Sequence, residues 1–186
     1  MKFTPFLALL SFGSSLVCGG DLPTISELSL EQKIGQLITV ATVSSSKRNE
    51  PFMNKSPYHL EPAYSEKMIT KHQVGGIIFL GGSSPREQIE RTNELQNISQ
   101  IPLFIALDAE WGLSMRLQED VIIFPRAMTL GALSKENDHL IYELGTEIGR
   151  QCKALGVHIN CAPVADVNNN PRNPVINSRS FGEDPE

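Results

Sequence analysis

The feature that most constrains this chain is a set of short apolar runs with no polar alternation. Residues 74–80 read VGGIIFL, residues 103–107 read LFIAL and residues 158–167 read HINCAPVADV. A strand with one wet face alternates apolar and polar side chains. A strand that stays apolar is covered on both faces, as in a parallel sheet flanked by helices. Helical segments separate the runs. Ser84, Pro85 and Glu87 supply an N-cap, a proline at the first helical position and a glutamate at the third. They predict a helix to about Ser99, with Ile89, Leu95 and Ile98 facing inward. A longer helix starts at Ser134, carries Leu140, Ile141, Leu144, Ile148, Cys152 and Leu155 at helical spacing, and stops at Gly156. Upstream, Ser29 followed by Gln32 marks a helix start, and residues 34–43 hand over to a first buried strand. Residues 44–64 are polar, hold three prolines and are expected to form a long loop. Strand, helix, strand, helix, strand is an α/β pattern, and both an open doubly wound sheet and a closed eight-fold barrel satisfy it.

The chain has 186 residues, 40% hydrophobic and 20% charged, the composition of a globular protein. Its net charge is −5, and no basic cluster exceeds Lys47-Arg48, so the footprint of nucleic-acid binding is missing. Neither the glycine pattern of dinucleotide binding nor a P-loop occurs, so no cofactor is expected. The start, MKFTPFLALLSFGSSLVCGGD, places one lysine before an apolar stretch and small residues after it. It reads as a signal peptide over residues 1–20, with export the consequence and a mature domain from Asp21 onward. The apolar stretch is too short for a membrane span. A lipoprotein reading through Cys18 meets a bulky Val17 where a small residue is usual, and a strand or helix of the fold is the other alternative. Cys152 and Cys161 have no metal-site spacing and read as two buried small hydrophobes, pairing being the alternative in an oxidising compartment. A complete barrel takes about 250 residues. With about four strands countable, the chain is expected to hold the first half of one.

Ligands in either architecture gather at the carboxyl ends of the strands. Three stretches put polar residues there: Gly81-Gly82, Asp108 to Arg116, and Asp166 onward. Asp108 and Glu110 present two carboxylates directly after an apolar run, which raises the question of a catalytic pair. Asp108 sits where rigid backbone would aim its carboxylate at two neighbouring hydroxyls, and Arg116 offers a fork of donors. Trp111 suits either a pyranose face or the core, and Arg116 suits either a ligand or an ion pair with Glu110 or Glu119. Arg179, in the run NSRSFGEDP, could reach a ligand from its loop. His158 reads as a buried, hydrogen-bonded core residue, and nothing near it or Cys161 forms a triad.

The stretches LDAEWGLSMRL, FPRAMTLGAL and HINCAPVADVNNNPRNPVINSRSFGEDP, with KIGQL, VGGIIFLGG and TNELQ, resemble the N-terminal domain of glycoside hydrolase family 3. More narrowly they resemble its β-N-acetylhexosaminidase-like branch, from about Ser29 to the last residue. The resemblance implies a (β/α)8 barrel and exo-acting, retaining hydrolysis of a terminal β-linked N-acetylglucosamine through a glycosyl-enzyme intermediate. It implies that Asp108, Arg116 and Arg179 bind the terminal sugar. It implies too that the nucleophilic aspartate, the histidine acid/base and a Lys-His sugar-binding pair follow residue 186, so no catalytic residue and no metal ligand is assigned here. The branch commonly has Asp-x-Glu-Gly-Gly, and this chain has Trp111 for the first of those glycines, as in a secreted bacterial subgroup. That departure bears on leaving-group specificity, including whether peptidoglycan fragments are the substrate, and β-glucosidase activity is an alternative of the same class. A non-catalytic carbohydrate-binding barrel, or an inactive fragment, is the alternative of another class.

Overall fold

The computed structural model describes residues 22–44, 60–82 and 84–185. The expected signal peptide and most of the 44–64 loop lie outside the described residues. Four strands, β1 (Thr39–Thr42), β2 (Gly76–Phe79), β3 (Phe104–Leu107) and β4 (Ile159–Asn160), form one parallel sheet in the order β1-β2-β3-β4. Among the described residues five α-helices accompany them: α1 (Leu30–Gln36), α2 (Pro62–His72), α3 (Pro85–Ile98), α4 (Ala127–Gly131) and α5 (Asp138–Ala154).

Strand order and register agree with the barrel, of the two architectures that the βα pattern alone allows. Val40, Ile77 and Ile105 lie abreast, as do Phe79 and Leu107 one step of the pleat pair further on. All five are buried in a single core with Ile69 of α2, Leu95 of α3, and Ile148, Cys152 and Leu155, which α5 and its C-cap contribute. The intervening row, Ala41, Ile78, Ala106 and Ile159, points to the opposite face. The helices therefore cover one face of the sheet, and each new strand is added on the same side as the last. A doubly wound sheet reverses direction and carries helices on both faces. A one-directional arc with helices outside is how a (β/α)8 barrel grows.

Local signals account for most elements. Ser29 and Gln32 form the expected capping box at the start of α1, with the Gln32 amide N–H donating to Ser29 Oγ at 3.2 Å. Ser84 caps α3, with Pro85 inside its first turn. Gly156 follows α5 at φ 72°, a left-handed stop that suits glycine. The apolar stripe of α5 is buried only over its second half, and Leu140 stays exposed.

Four expectations are corrected. The segment read as a loop to residue 64 gives way to α2 at Pro62; the helix turns Ser65 inward, not an apolar residue, where it donates to the Pro62 carbonyl at 2.8 Å and weakens the apolar stripe. The run 158–167 pairs only at Ile159–Asn160, because Pro163 has no N–H with which to extend the ladder. His158 is exposed, although its Nδ1 accepts the Ile105 amide N–H at 2.9 Å, because β4 lies at the edge of the described sheet. Cys161 is exposed too, while Cys152 is buried, where desolvation pushes its thiol pKa up; both are free.

Candidate functional site

β3 delivers Asp108 to the carboxyl rim of the sheet, and the next strand holds it there. Asn160, the last residue of β4, accepts the Ala109 amide N–H on Oδ1 at 3.0 Å and donates to the Ala109 carbonyl at 3.5 Å. Its side chain thus continues the ladder past the end of the backbone pairing. Ala109 itself is fully buried, so the two acidic residues flanking it are fixed by packing and by hydrogen bonds.

The chain then folds back on itself. Gly112 adopts φ 83°, and a Cβ there would lie 2.6 Å from the Phe124 ring, so only glycine fits the turn. The 3-10 turn Leu113–Met115 follows, anchored by buried Leu113 and Leu117. Arg116 returns to Asp108: Nε donates to the Asp108 carbonyl at 2.9 Å, and Nη2 donates to Asp108 Oδ2. Arg116 also touches the β2 rim, its carbonyl accepting the Gly82 amide N–H at 3.1 Å. A Cβ at Gly82 would meet Ser44 Oγ at 2.1 Å and Leu117 Cδ2 at 2.9 Å, so the rims of β1, β2 and β3 close on one another there.

Arg179 reaches the same place from the loop after β4. Its Nε donates to both oxygens of Glu110, at 3.0 and 2.9 Å, and Nη2 donates to Oε1 at 2.6 Å. The Glu110 side chain is only 6% exposed. This pairing with Glu110 pushes the Arg179 pKa up, and the charge of Asp108 adds to the effect. The loop is closed by the Asn168 amide N–H donating to the Gly182 carbonyl at 2.8 Å, and by buried Ser180, whose Oγ donates to the same carbonyl at 2.8 Å. Helix α4 supports it from behind, where Gly131 lies so close that a Cβ would stand 1.7 Å from the Phe181 carbonyl oxygen. Beside the Glu110–Arg179 pair runs a second link. The Arg126 guanidinium carbon lies 4.2 Å from the centroid of the Trp111 ring, and Nη1 donates to Ser178 Oγ at 3.4 Å.

Asp108, Arg116 and Arg179 are thus gathered at one rim, with Glu110 between the loops. Glu110 partners Arg179, not the Arg116 or Glu119 pairings weighed for these residues, because Arg116 is already engaged twice by Asp108. Sequence reasoning missed Asn160, Arg126 and Ser180. Only Asn160 carried a signal, a polar residue inside an otherwise apolar strand run. Each carboxylate is engaged by a guanidinium, which takes up lone pairs that a nucleophile or general base would need. One oxygen of Asp108 carries no hydrogen bond among the described residues, and both arginines keep spare N–H groups. That combination suits a neutral, oxygen-rich ligand. Among the described residues no group of side chains is arranged to hold a metal ion, and no helix is long and apolar enough to cross a membrane.

A one-directional βα arc with a hydrogen-bonding clamp at its carboxyl rim is the arrangement of a (β/α)8 barrel ligand site. The chain belongs to glycosyl hydrolase family 3: the model of that family's N-terminal domain matches residues 29–186. It is 39% identical over 135 residues to a β-hexosaminidase A of Pseudoalteromonas piscicida, covering 68% of this chain and 22% of that protein. It is 30% identical to a β-N-acetylglucosaminidase/β-glucosidase of Cellulomonas fimi, covering 87% of this chain and 25% of that one. The structure of a β-glucoside phosphorylase, BglX, superposes with a TM-score of 0.67 at 26% identity, covering 86% of this chain and 26% of the other. The chain thus spans about a quarter of the length of these relatives.

Proposed function

We propose that the protein is an exported glycosidase that removes terminal β-linked N-acetylglucosamine by retaining hydrolysis, and that Asp108, Arg116 and Arg179 hold the sugar being removed. The observation that carries this reading is the convergence at the β3 rim of an aspartate with one uncommitted oxygen and two arginines with spare donors. The Asp108 oxygen accepts from ring hydroxyls, and the arginines donate to hydroxyl or acetamido oxygens. Kinship with a β-hexosaminidase A at 39% identity supports the N-acetyl sugar. Retaining hydrolysis needs a carboxylate nucleophile and a separate acid/base. Asp108 and Glu110 take neither role, each being engaged by an arginine, and no residue of this chain is assigned to them. Residues 1–20 act as the export signal and residues 21–186 as part of the barrel domain.

A second reading, action on β-glucosides, is favoured by the names of the Cellulomonas fimi relative and the phosphorylase. Comparing turnover of chromogenic N-acetyl-β-glucosaminide and β-glucoside by the full-length protein, with and without inorganic phosphate, separates these readings. Faster release from the N-acetylglucosaminide without phosphate is expected. Faster release from the glucoside would replace the first reading by the second. A strict need for phosphate would replace hydrolysis by phosphorolysis, and no release from either substrate would overturn both readings.

A further inference from the structure

We infer that Glu110 is a positioning residue, whose carboxylate fixes which edge of the Arg179 guanidinium faces the sugar. The inference rests on the sugar-binding role proposed for Arg179 and adds a residue that acts through it.

A guanidinium has five N–H groups on three nitrogens. Glu110 takes the side edge, Nε together with one N–H of Nη2. The Val175 carbonyl takes one N–H of Nη1 at 3.3 Å. One N–H on each terminal nitrogen is left; the Nη2 one lies at the end of the guanidinium, and with the Val175 carbonyl on the Cδ side of Nη1 the two form an end-on fork. An end-on fork presents two parallel donors, which suits two adjacent sugar oxygens or the two lone pairs of an amide carbonyl. The Arg179 side chain is 32% exposed and that of Glu110 only 6%, so the arginine and not the carboxylate is the member of the pair open to a ligand.

The holder is itself rigid. Glu110 follows Ala109, pinned by Asn160, and its own amide N–H donates to Met115 Sδ at 3.4 Å. Moving Arg179 away would leave a buried carboxylate without its countercharge, an arrangement far costlier than the pair is stabilising. The neighbouring link from Trp111 through Arg126 to Ser178 ties down the residue before Arg179. A simple structural cross-link between the two loops would use the same contacts, so the test must separate positioning from cohesion.

The test uses the full-length protein, with kcat, KM and Tm measured on the chromogenic N-acetyl-β-glucosaminide for wild type, Glu110→Gln, Arg179→Ala and the double variant. Glu110→Gln keeps the volume but sets an amide NH2 against the Arg179 donors. Its KM is expected to rise by roughly tenfold or more, the equivalent of one charge-assisted hydrogen bond. In the Arg179→Ala background the same change is expected to alter kcat/KM by less than about twofold, because nothing is left to position. A Glu110→Gln enzyme with a lowered Tm but wild-type KM would overturn the inference while leaving the proposed function standing. Multiplying effects in the double variant would overturn it too. Should Glu110→Gln fail to fold, Glu110→Asp keeps the charge and shortens the reach by one methylene; a raised KM supports positioning, and an unchanged KM refutes it. A wild-type enzyme inactive on N-acetylglucosaminide and glucoside alike would remove the proposed function and this inference together.

Discussion

At the scale of single residues, the two acidic groups after β3 are divided between two arginines, and the division separates their roles. Asp108 has an oxygen at the rim with no hydrogen bond among the described residues; Glu110 is spent on Arg179. The family resemblance puts Asp108 and Arg116 at one sugar site, but their direct pairing was not legible, since Glu110 and Glu119 are equally plausible partners for Arg116 in the sequence. The Glu110–Arg179 pair was not legible either, since it spans 69 residues and depends on how the loop after β4 returns. Trp111, which departs from the common family pattern, gains a physical role as the face on which Arg126 stacks. We expect Trp111→Ala to destabilise the protein by about 1 kcal/mol in urea unfolding, from the lost cation–π contact and ring packing. Its KM is expected to change far less than that of Asp108→Ala. An equal loss of affinity would place the ring in the sugar site.

At the scale of elements, caps and unbroken apolar runs showed through clearly: α1, α3 and the first three strands fall where their signals put them, while the helix expected from Ser134 opens as a 3-10 turn at Lys135–Asn137 and becomes α5 only at Asp138. Two helices did not show. The buried side of α2 is carried by Ser65 and Ile69, a stripe too weak to read. Helix α4 has only five residues and owes its place to the loop it supports. The strand run after α5 was over-read because apolar character continues past Asn160 while pairing does not. The close approach of α4 to the Arg179 loop gives a prediction at this scale. Gly131→Ala would drive a methyl into the Phe181 carbonyl, and overpacking of that kind costs about 1–3 kcal/mol. We expect a lower Tm and, because the loop carries Arg179, a higher KM in the same variant. A lower Tm with unchanged KM would show that α4 supports stability alone.

At the scale of the molecule, composition and the βα rhythm reached the α/β class, and strand order agrees with the barrel type. The rhythm alone could not select it, because hydrophobic runs report burial on both faces but not which neighbour provides it; the family resemblance of the motifs is what pointed to the barrel. The face opposite the helices shows what a lone arc leaves uncovered. Phe104 is 62% exposed and Ile159 46%, and β4 offers an edge with no further strand among the described residues. Apolar surface of this kind, next to an open sheet edge, invites association. Expressed by itself, the 186-residue chain is expected to bind a hydrophobic dye such as ANS and to lack a sharp thermal transition. A cooperative melt without dye binding would show that the arc is self-sufficient.

Asp108 is the residue on which the proposed sugar clamp depends most. In the full-length protein, Asp108→Ala removes the one carboxylate oxygen offered to the sugar and leaves Arg116 without its partner. Release from a chromogenic N-acetyl-β-glucosaminide should fall by a factor of at least about 100 in kcat/KM, as expected for losing hydrogen bonds to a charged group. A circular dichroism spectrum matching wild type should accompany that loss. A folded Asp108→Ala enzyme that kept wild-type kcat/KM would contradict the sugar clamp outright.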